Sequence, residues 1–372
     1  MKIALVVPGG LHPSGEREVV PSWLALFEHL STRHELHAFV LKHLRDAQTY
    51  HLRGFTVHDL GRPSSGLGLT RIAQDRALMN ALARVGPFDL IQGFFADPAG
   101  QLAARAGKRL NIPSVVTCDS GEFVSLPEIG YGSRRTSSGR RVVAEACTLA
   151  TQVHVCTQFM ADLAAAHKIR ATIIPLTSIS SKTEGTSISA PRAKGASFRL
   201  VQVASLSRVK NQRLVIDALR LVREKVNAHL DLVGEDTLGG ELQNYGADCG
   251  LGTHVTFHGF LPQEGVRQIL STADLYVQSS LHEAAGVSVL EAAASSVPAI
   301  GTRAGYVADW SPQRAMALNN ATPGSLADAI IALHADPQQR RTLAEAARAF
   351  ALEHDAAWSA AKFDELYRGL AR

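Results

Sequence analysis

The sequence predicts an α/β protein built from two doubly wound domains that face a central cleft. Three observations predict it. The chain is 372 residues long, enough for two domains of ordinary size. Short, nearly continuous apolar runs alternate along it with stretches of helical period, the pattern of parallel sheets covered by helices. That pattern lapses over residues 178–197, SISSKTEGTSISAPRAKGAS, a polar stretch with no apolar period that reads as an interdomain linker or a surface loop beside it. Two doubly wound units in succession leave a cleft at the carboxyl ends of their strands.

The expected divisions are a first domain at 1–180, a linker at 181–197, a second domain at 198–355, and a last helix at 356–372 that packs back on the first domain. Lys2–Val7 opens the chain as a buried parallel strand, since it is apolar almost without interruption. After the loop PGGLHPSGERE, Pro21 falls in the first turn of a helix, where its missing N–H costs nothing. Val20, Trp23, Leu24, Phe27 and Leu30 then recur at helical spacing. Further strands are expected at Glu35–Leu41, Phe55–His58, Phe88–Gln92, Ser114–Cys118, Gln152–Cys156 and Thr172–Pro175. Helices fit Leu69–Arg84, Ala99–Asn111, Gly139–Ala150 and Thr157–His167.

A second Rossmann-like run follows. Arg199–Ala204, Leu230–Val233, Val255–His258, Leu275–Gln278, Pro298–Gly301 and Ala315–Leu318 read as strands. Asn211–Lys225 carries Leu214, Ile216, Ala218, Leu219 and Val222 on a helix. Val287–Ala294 looks helical, and Gly324–Ala335, Gln338–Glu353 and Trp358–Gly369 end the chain as helices.

Composition narrows the function classes. Apolar residues make up 46% and charged residues 19%, as in a globular α/β protein, and the net charge of +4 is too small and scattered to argue for nucleic acid. The densest basic stretch, YGSRRTSSGRR, is either a solvated loop or a surface for an anionic lipid or a phosphorylated acceptor. The four cysteines have no metal-ligand or C-x-x-C spacing, so reduced cysteines are expected. No run approaches the roughly 18 apolar residues of a membrane span. A cytoplasmic location is therefore expected, with peripheral contact at the inner face of the membrane left open. No His/Cys/Asp/Glu pattern marks a metal site, and no G-x-S-x-G elbow is present.

Two segments carry chemistry. The first is 278–310, QSSLHEAAGVSVLEAAASSVPAIGTRAGYVADW, where Glu283 and Glu291 flank the Gly286 start of a helix after an apolar strand. A strand–loop–helix junction offers free backbone N–H groups and a positive dipole end. One acid before that start and another one turn inside suit a ligand with hydroxyls flanking a phosphate, as in a nucleotide sugar. The second segment is Ser205–Gln212, SLSRVKNQ, between a strand and a helix, where an open α/β sheet binds its ligand. Arg208 and Lys210 there can reach a diphosphate, or are ordinary solvated cations. His12 and His282 lie in loops expected to face the cleft, as ligand contacts or as plain surface histidines.

VASLSRVKNQRLVIDAL and SSLHEAAGVSVLEAAASSVPAIGTRAG together resemble the retaining glycosyltransferases of family 4, which have the GT-B fold. That family reads G-R-L-x-x-x-K-G in the first element and E-G-F-G-x-x-x-x-E in the second. HELHAFVL, FDLIQGFFADPAG and IPSVVTCDSGE extend the resemblance over nearly the whole chain. It implies metal-independent transfer of a sugar, hexosyl-type, from a nucleoside-diphosphate sugar with retention of configuration. The acceptor would be a sugar, a lipid-linked molecule or a small molecule, and no separate cofactor would be needed. Lys210 would contact the diphosphate, Glu291 the ribose hydroxyls and Glu283 the donor sugar. Backbone N–H groups from Gly286 through Val287 to Ser288 would bind sugar and phosphate oxygens. Gly15 would approach the diphosphate from the first domain, and a base would stack near His258-Gly259-Phe260.

The chain departs from the family pattern in three places. Ser205 stands where the family has arginine, and Arg208 would have to replace it. Ala284 and Ala285 replace the first glycine and the aromatic, which reshapes the sugar pocket. Asp119 stands where the family has histidine, either to accept a proton or hold a sugar hydroxyl, or simply as a turn residue, and Glu122 reads as a helix-start acid. Two alternatives stay open: a nucleotide-sugar epimerase or hydrolase, which can share the fold, and a catalytically degenerate binding protein, which Ser205, Ala284 and Asp119 keep in play.

Overall fold

The computed structural model describes residues 1–42, 44–61, 70–180 and 196–371. It divides into two compact units, Met1–Ser178 with His354–Arg372, and Ile179–Glu353. Most of the expected linker at 181–197, and Leu69 of the expected second helix, lie outside the described residues.

The first unit runs β1 (Lys2–Val7), α1 (Pro21–Ser31), β2 (Glu35–Val40), β3 (Gln48–Leu52), β4 (Phe55–Asp59), α2 (Thr70–Val85), β5 (Leu90–Phe94), α3 (Gln101–Leu110), β6 (Ser114–Thr117), α4 (Ser137–Leu149), β7 (Gln152–Val155), α5 (Gln158–Ala165) and β8 (Thr172–Ile173). Its eight strands lie in the order β3-β4-β2-β1-β5-β6-β7-β8. Ile3 to Val7 of β1 are fully buried because helices cover both faces of the sheet. Trp23 and Phe27 of α1 pack on Phe94 at ring-centroid distances of 5.1 and 5.2 Å, which fixes that helix over the sheet.

β3 departs from the expected parallel pattern. It pairs antiparallel with β4, while the other neighbours in the sheet are parallel. QTYHL has no apolar run because it is a half-exposed edge strand whose one buried residue is Leu52. Arg53 and Gly54, at φ 42° and 88°, make the tight hairpin turn into β4.

The second unit runs β9 (Phe198–Val203), α6 (Gln212–Arg223), β10 (Ala228–Val233), α7 (Glu241–Asp248), β11 (Val255–Gly259), α8 (Gln263–Ser271), β12 (Leu275–Gln278), α9 (Val287–Ala294), β13 (Ala299–Thr302), α10 (Gly305–Trp310), β14 (Ala315–Leu318), α11 (Pro323–Ala335) and α12 (Pro337–Glu353). Its sheet is parallel throughout, in the order β11-β10-β9-β12-β13-β14. Val215, Ile216 and Leu219 of α6 pack with Leu200, Leu230, Leu275 and Ile300 in its core.

The last helix, α13 (Ala356–Leu370), belongs to the first unit. Phe363 meets the His154 ring edge-on at 4.7 Å, Ser359 Oγ donates to Pro175 O at 2.7 Å, and the buried Tyr367 hydroxyl donates to Gln92 of β5. No helix among the described residues is long and apolar enough to cross a membrane.

Each sheet has one point where strand order reverses. In the first unit it lies between β1 and β5, and in the second between β9 and β12. Loops leaving the carboxyl ends of such strands diverge to opposite sides and leave room for a ligand.

Candidate functional site

The two chemistry-bearing segments of the second unit meet at its reversal point. Residues 204–211 leave β9 and residues 279–286 leave β12, and the two strands are hydrogen-bonded neighbours. Small polar groups stitch the loops together. Ser279 Oγ donates to Lys210 O at 2.7 Å, Gln202 Nε2 to Ser279 Oγ at 3.1 Å, and Leu281 N to Val209 O at 2.8 Å. Gln202 and Ser279 are buried, so these bonds are made out of competition with water.

Across this seam Lys210 Nζ reaches Glu283 Oε1 at 2.6 Å. The same carboxylate oxygen accepts from Ser280 Oγ, also at 2.6 Å. With side-chain exposures of 24% and 12% the pair is largely shielded, so a charge arriving beside it is weakly screened.

Glu283 leads into α9 through Gly286, whose φ of +80° suits glycine. Among the described residues no side chain caps this helix; Val289 N donates to Gly286 O at 2.8 Å, and the N–H groups before it stand at the positive end of the helix. Gly305 is needed for close approach, since a Cβ there would lie 2.3 Å from Ala285 O. Gln278, buried at the end of β12, donates to Thr302 O and Ala304 O at 3.2 and 3.0 Å, and Thr302 Oγ1 donates to Ser280 O at 2.7 Å. The Tyr276 hydroxyl, which burial pushes up from its ordinary pKa, lies 2.6 Å from Ser288 Oγ and braces the first helical turn. Glu291 follows on the same helix and is half-buried.

Arg208 stands apart from this pair. It is 63% exposed and closes on Glu241 of α7 at 3.5 Å, a carboxylate shared with Arg213. Ser205 is exposed, and its carbonyl accepts from Gln212 Nε2 at 3.0 Å. Phe260, 53% exposed, follows the edge strand β11, and the neighbouring His258 donates to Asp231 at 2.8 Å. His282 is buried, whereas His12 bonds Ser14 within its own turn at 2.9 Å.

In the first unit Gly15 sits in the loop after β1 with φ +66°, its N–H donating to His12 O at 2.9 Å. Asp119 follows β6. Beside it the Cys156 thiol is pushed well up by burial and by the Asp119 carboxylate. Glu122 is no helix-start acid. It is buried, and its two oxygens accept from Ala96 N and Ser120 N at 3.2 and 2.8 Å, tying the loops after β5 and β6 together. Burial pushes its pKa up against the pull of those N–H donors. It holds down the exit of Phe95, a non-glycine residue at φ +63°.

Several supporting residues escaped the sequence reading: Gln202, Tyr276, Gln278, Ser279, Ser280 and Thr302. A signal for them existed. Gln92, Gln202 and Gln278 each stand beside apolar residues in a buried strand, and all three are buried and hydrogen-bonded.

Comparison with known proteins bears on both halves. Residues 184–350 match the model for glycosyl transferases group 1, and residues 19–177 that for the glycosyl transferase 4-like domain. Over 106 residues the chain is 36% identical to EpsD of Bacillus subtilis (strain 168), a protein named as a glycosyltransferase; this is 28% of this chain and 27% of EpsD. Over 285 residues it is 27% identical to TuaC of the same organism, named for teichuronic acid biosynthesis; this is 75% of this chain and 65% of TuaC. The chain thus spans about a quarter of the first relative and just under two thirds of the second.

Among solved structures, sucrose-phosphate synthase from Thermosynechococcus elongatus superposes with a TM-score of 0.83 at 20% identity, covering 100% of this chain and 99% of that one. HepE of Anabaena in complex with UDP and glucose gives 0.77 at 19%, and WaaG, a glycosyltransferase of lipopolysaccharide biosynthesis, 0.72 at 18%. They cover 100% and 99% of this chain, and 100% of their own. With each half matched by its own glycosyltransferase model and the two-unit architecture shared end to end, the chain belongs to the group 1, family 4-like glycosyltransferases of the GT-B fold.

Proposed function

We propose that this glycosyltransferase uses a nucleoside-diphosphate sugar, transfers a hexosyl-type residue with retention, and stabilises the leaving group with fixed protein charge rather than a metal ion. The observation that carries the reading is the shielded Lys210–Glu283 pair at 2.6 Å beside the uncapped start of α9, at the reversal point of a parallel sheet. HepE has been solved with UDP-glucose, so uridine donors are the first to try.

In the proposed reaction the bond between the anomeric carbon and the β-phosphate oxygen breaks, and its electron pair stays on the diphosphate. Lys210 and the N–H groups from Gly286 to Ser288 meet that growing negative charge, and being already in place they need little reorganisation. Glu283 orients a sugar hydroxyl and holds Lys210 from the other side. Glu291 takes the ribose hydroxyls. The acceptor oxygen then bonds the anomeric carbon on the face the diphosphate leaves, with its proton passing to the departing phosphate oxygen. Asp119 is the acceptor-side group proposed to hold the attacking hydroxyl. Retention rests on the resemblance to the retaining family.

Radiolabelled donor turnover, with and without candidate acceptors, tests the reading. It predicts a glycosylated product whose anomeric configuration, read by proton NMR, matches the donor. Donor hydrolysis or epimerisation with no need of acceptor would replace it with a hydrolase or epimerase, and tight donor binding without turnover with a binding protein.

A further inference from the structure

We propose that an arginine platform at residues 134–141 of the first unit binds the phosphate of a phosphorylated acceptor, whether carried by a lipid or free in solution. That the ligand is the acceptor rests on the glycosyltransferase reading; that the platform binds phosphate does not.

The platform is built on the loop after β6, the loop that carries Asp119. This loop folds into a hairpin in which Leu126 and Tyr131 exchange backbone hydrogen bonds at 2.9 and 3.0 Å. Its return limb is clamped to its base, Ser133 N donating to Gly121 O at 2.9 Å and Arg134 N to Val124 O at 3.2 Å. Gly121 is two residues from Asp119, and Glu122 anchors the same base through its buried carboxylate. The turn bearing Arg134 and Arg135 is therefore held close to Asp119. Arg140 of α4 folds its guanidinium onto that turn, donating to Arg134 O at 2.9 Å and Ser137 Oγ at 3.1 Å. Arg141 follows it on the helix.

The charges in this cluster are uncompensated. Arg135, Arg140 and Arg141 are exposed and Arg134 is half-buried, and none of the four pairs with a carboxylate among the described residues. In the same unit Arg71, Arg105 and Arg109, by contrast, close on Asp97, Glu145 and Asp75, each at 2.6 Å. Like charges gathered without counter-charge repel, and a bound polyanion removes that repulsion. A phosphate or diphosphate has several oxygens that match guanidinium forks, whereas a single carboxylate satisfies one. The confinement of the cluster to eight consecutive residues, 134–141, in a chain of net charge +4 argues against a nucleic-acid track.

The test uses full-length protein carrying Lys210→Ala, so that the donor site contributes little. Three forms are compared: this background, the background with Arg134→Gln, Arg135→Gln, Arg140→Gln and Arg141→Gln, and a control with Lys108→Gln, Arg220→Gln, Lys225→Gln and Arg341→Gln. Calorimetric titration with inorganic pyrophosphate should show the platform variant weaker by about tenfold or more. The control, which loses the same net charge, should stay within about twofold. Arginine-to-lysine changes at the same four positions, which keep charge but lose the forks, should give intermediate affinity, and they serve as the test if the glutamine variant melts early. Flotation with phosphatidylcholine vesicles, with and without phosphatidylglycerol, identifies the source. Platform-dependent flotation on the anionic vesicles assigns lipid-borne phosphate, and platform-dependent pyrophosphate binding without flotation assigns a soluble one. Equal affinity in all forms, or equal loss in platform variant and control, overturns the proposal. Nucleotide binding by protein with native Lys210 is measured separately, so failure of the donor reading would show there.

Discussion

The loops at the carboxyl ends of the two sheets are built from different materials. In the second unit, Lys210 and Glu283 face each other at 2.6 Å and the start of α9 stands beside them. In the first unit, the loops after β5 and β6 are closed on each other by Glu122, whose oxygens are taken up by the backbone N–H groups of Ala96 and Ser120. The second unit presents a charged pair beside a helix start, and the first spends the buried Glu122 carboxylate on holding its loops. The difference suits their proposed tasks. A departing diphosphate needs fixed positive charge, whereas an acceptor hydroxyl needs a shaped, rigid wall. On this account, substitutions at the donor point should change chemistry and binding with little effect on folding. Substitutions at the acceptor point should act first on stability.

The largest expected effect is that of Lys210→Ala. It should lower kcat/KM by about 2–4 kcal/mol of transition-state stabilisation, measured by initial rates, with the melting temperature nearly unchanged. An unchanged rate would remove Lys210 from the diphosphate. Next comes Glu291→Ala, expected to weaken nucleotide binding by roughly 1.5–3 kcal/mol, as for hydrogen bonds to a charged group. Calorimetry with the nucleoside diphosphate reads it, and near-normal affinity would detach Glu291 from the ribose.

Glu122→Leu reverses the pattern. The buried Ala96 N–H and the part-buried Ser120 N–H lose their acceptor, at about 1–3 kcal/mol for the buried one. Thermal melting should fall clearly while nucleotide affinity holds. A fall in nucleotide affinity without loss of stability would break the contrast between the units.

Acid should also act on the first unit. Burial and the neighbouring His37 bring the His58 pKa down from 6.5 to about 4. The unfolded chain therefore binds this proton at higher pH than the folded one. The resulting stability is complete above about pH 6.5 and is lost as pH falls toward 4. For a half-buried ring this is on the order of 1 kcal/mol after solvent screening, and His58→Gln should flatten the unfolding free energy across that window. The smallest effect is expected from Arg208→Ala. Its ion pair with Glu241 is largely exposed, so nucleotide affinity should change by under about 1 kcal/mol.

The contrast between the units also explains what was legible in the sequence. The donor point was readable because its groups belong to two contiguous segments with chemically unambiguous side chains. Glu283, Gly286 and α9 at Val287–Ala294 stand where the pattern of strand, small loop and helix put them. The pairing of Lys210 with Glu283 was not readable, because it joins positions 73 residues apart through the adjacency of β9 and β12. The acceptor point was harder still. Glu122 looked like an ordinary helix-start acid, since nothing local shows that a carboxylate is buried against N–H groups from another loop. β3 escaped for the opposite reason: an edge strand needs no apolar run. The buried glutamines in β5, β9 and β12 were visible as polar residues in buried strands, but only topology shows that those strands flank the reversal points.

The most direct test is one titration on three proteins: uridine diphosphate into wild type, Lys210→Ala and Arg208→Ala, followed by calorimetry. The account predicts clear binding by wild type, near-equal binding by Arg208→Ala, and a loss of about tenfold or more in Lys210→Ala. Equal affinity in wild type and Lys210→Ala, or a greater loss in Arg208→Ala than in Lys210→Ala, would contradict a donor site centred on the Lys210–Glu283 pair.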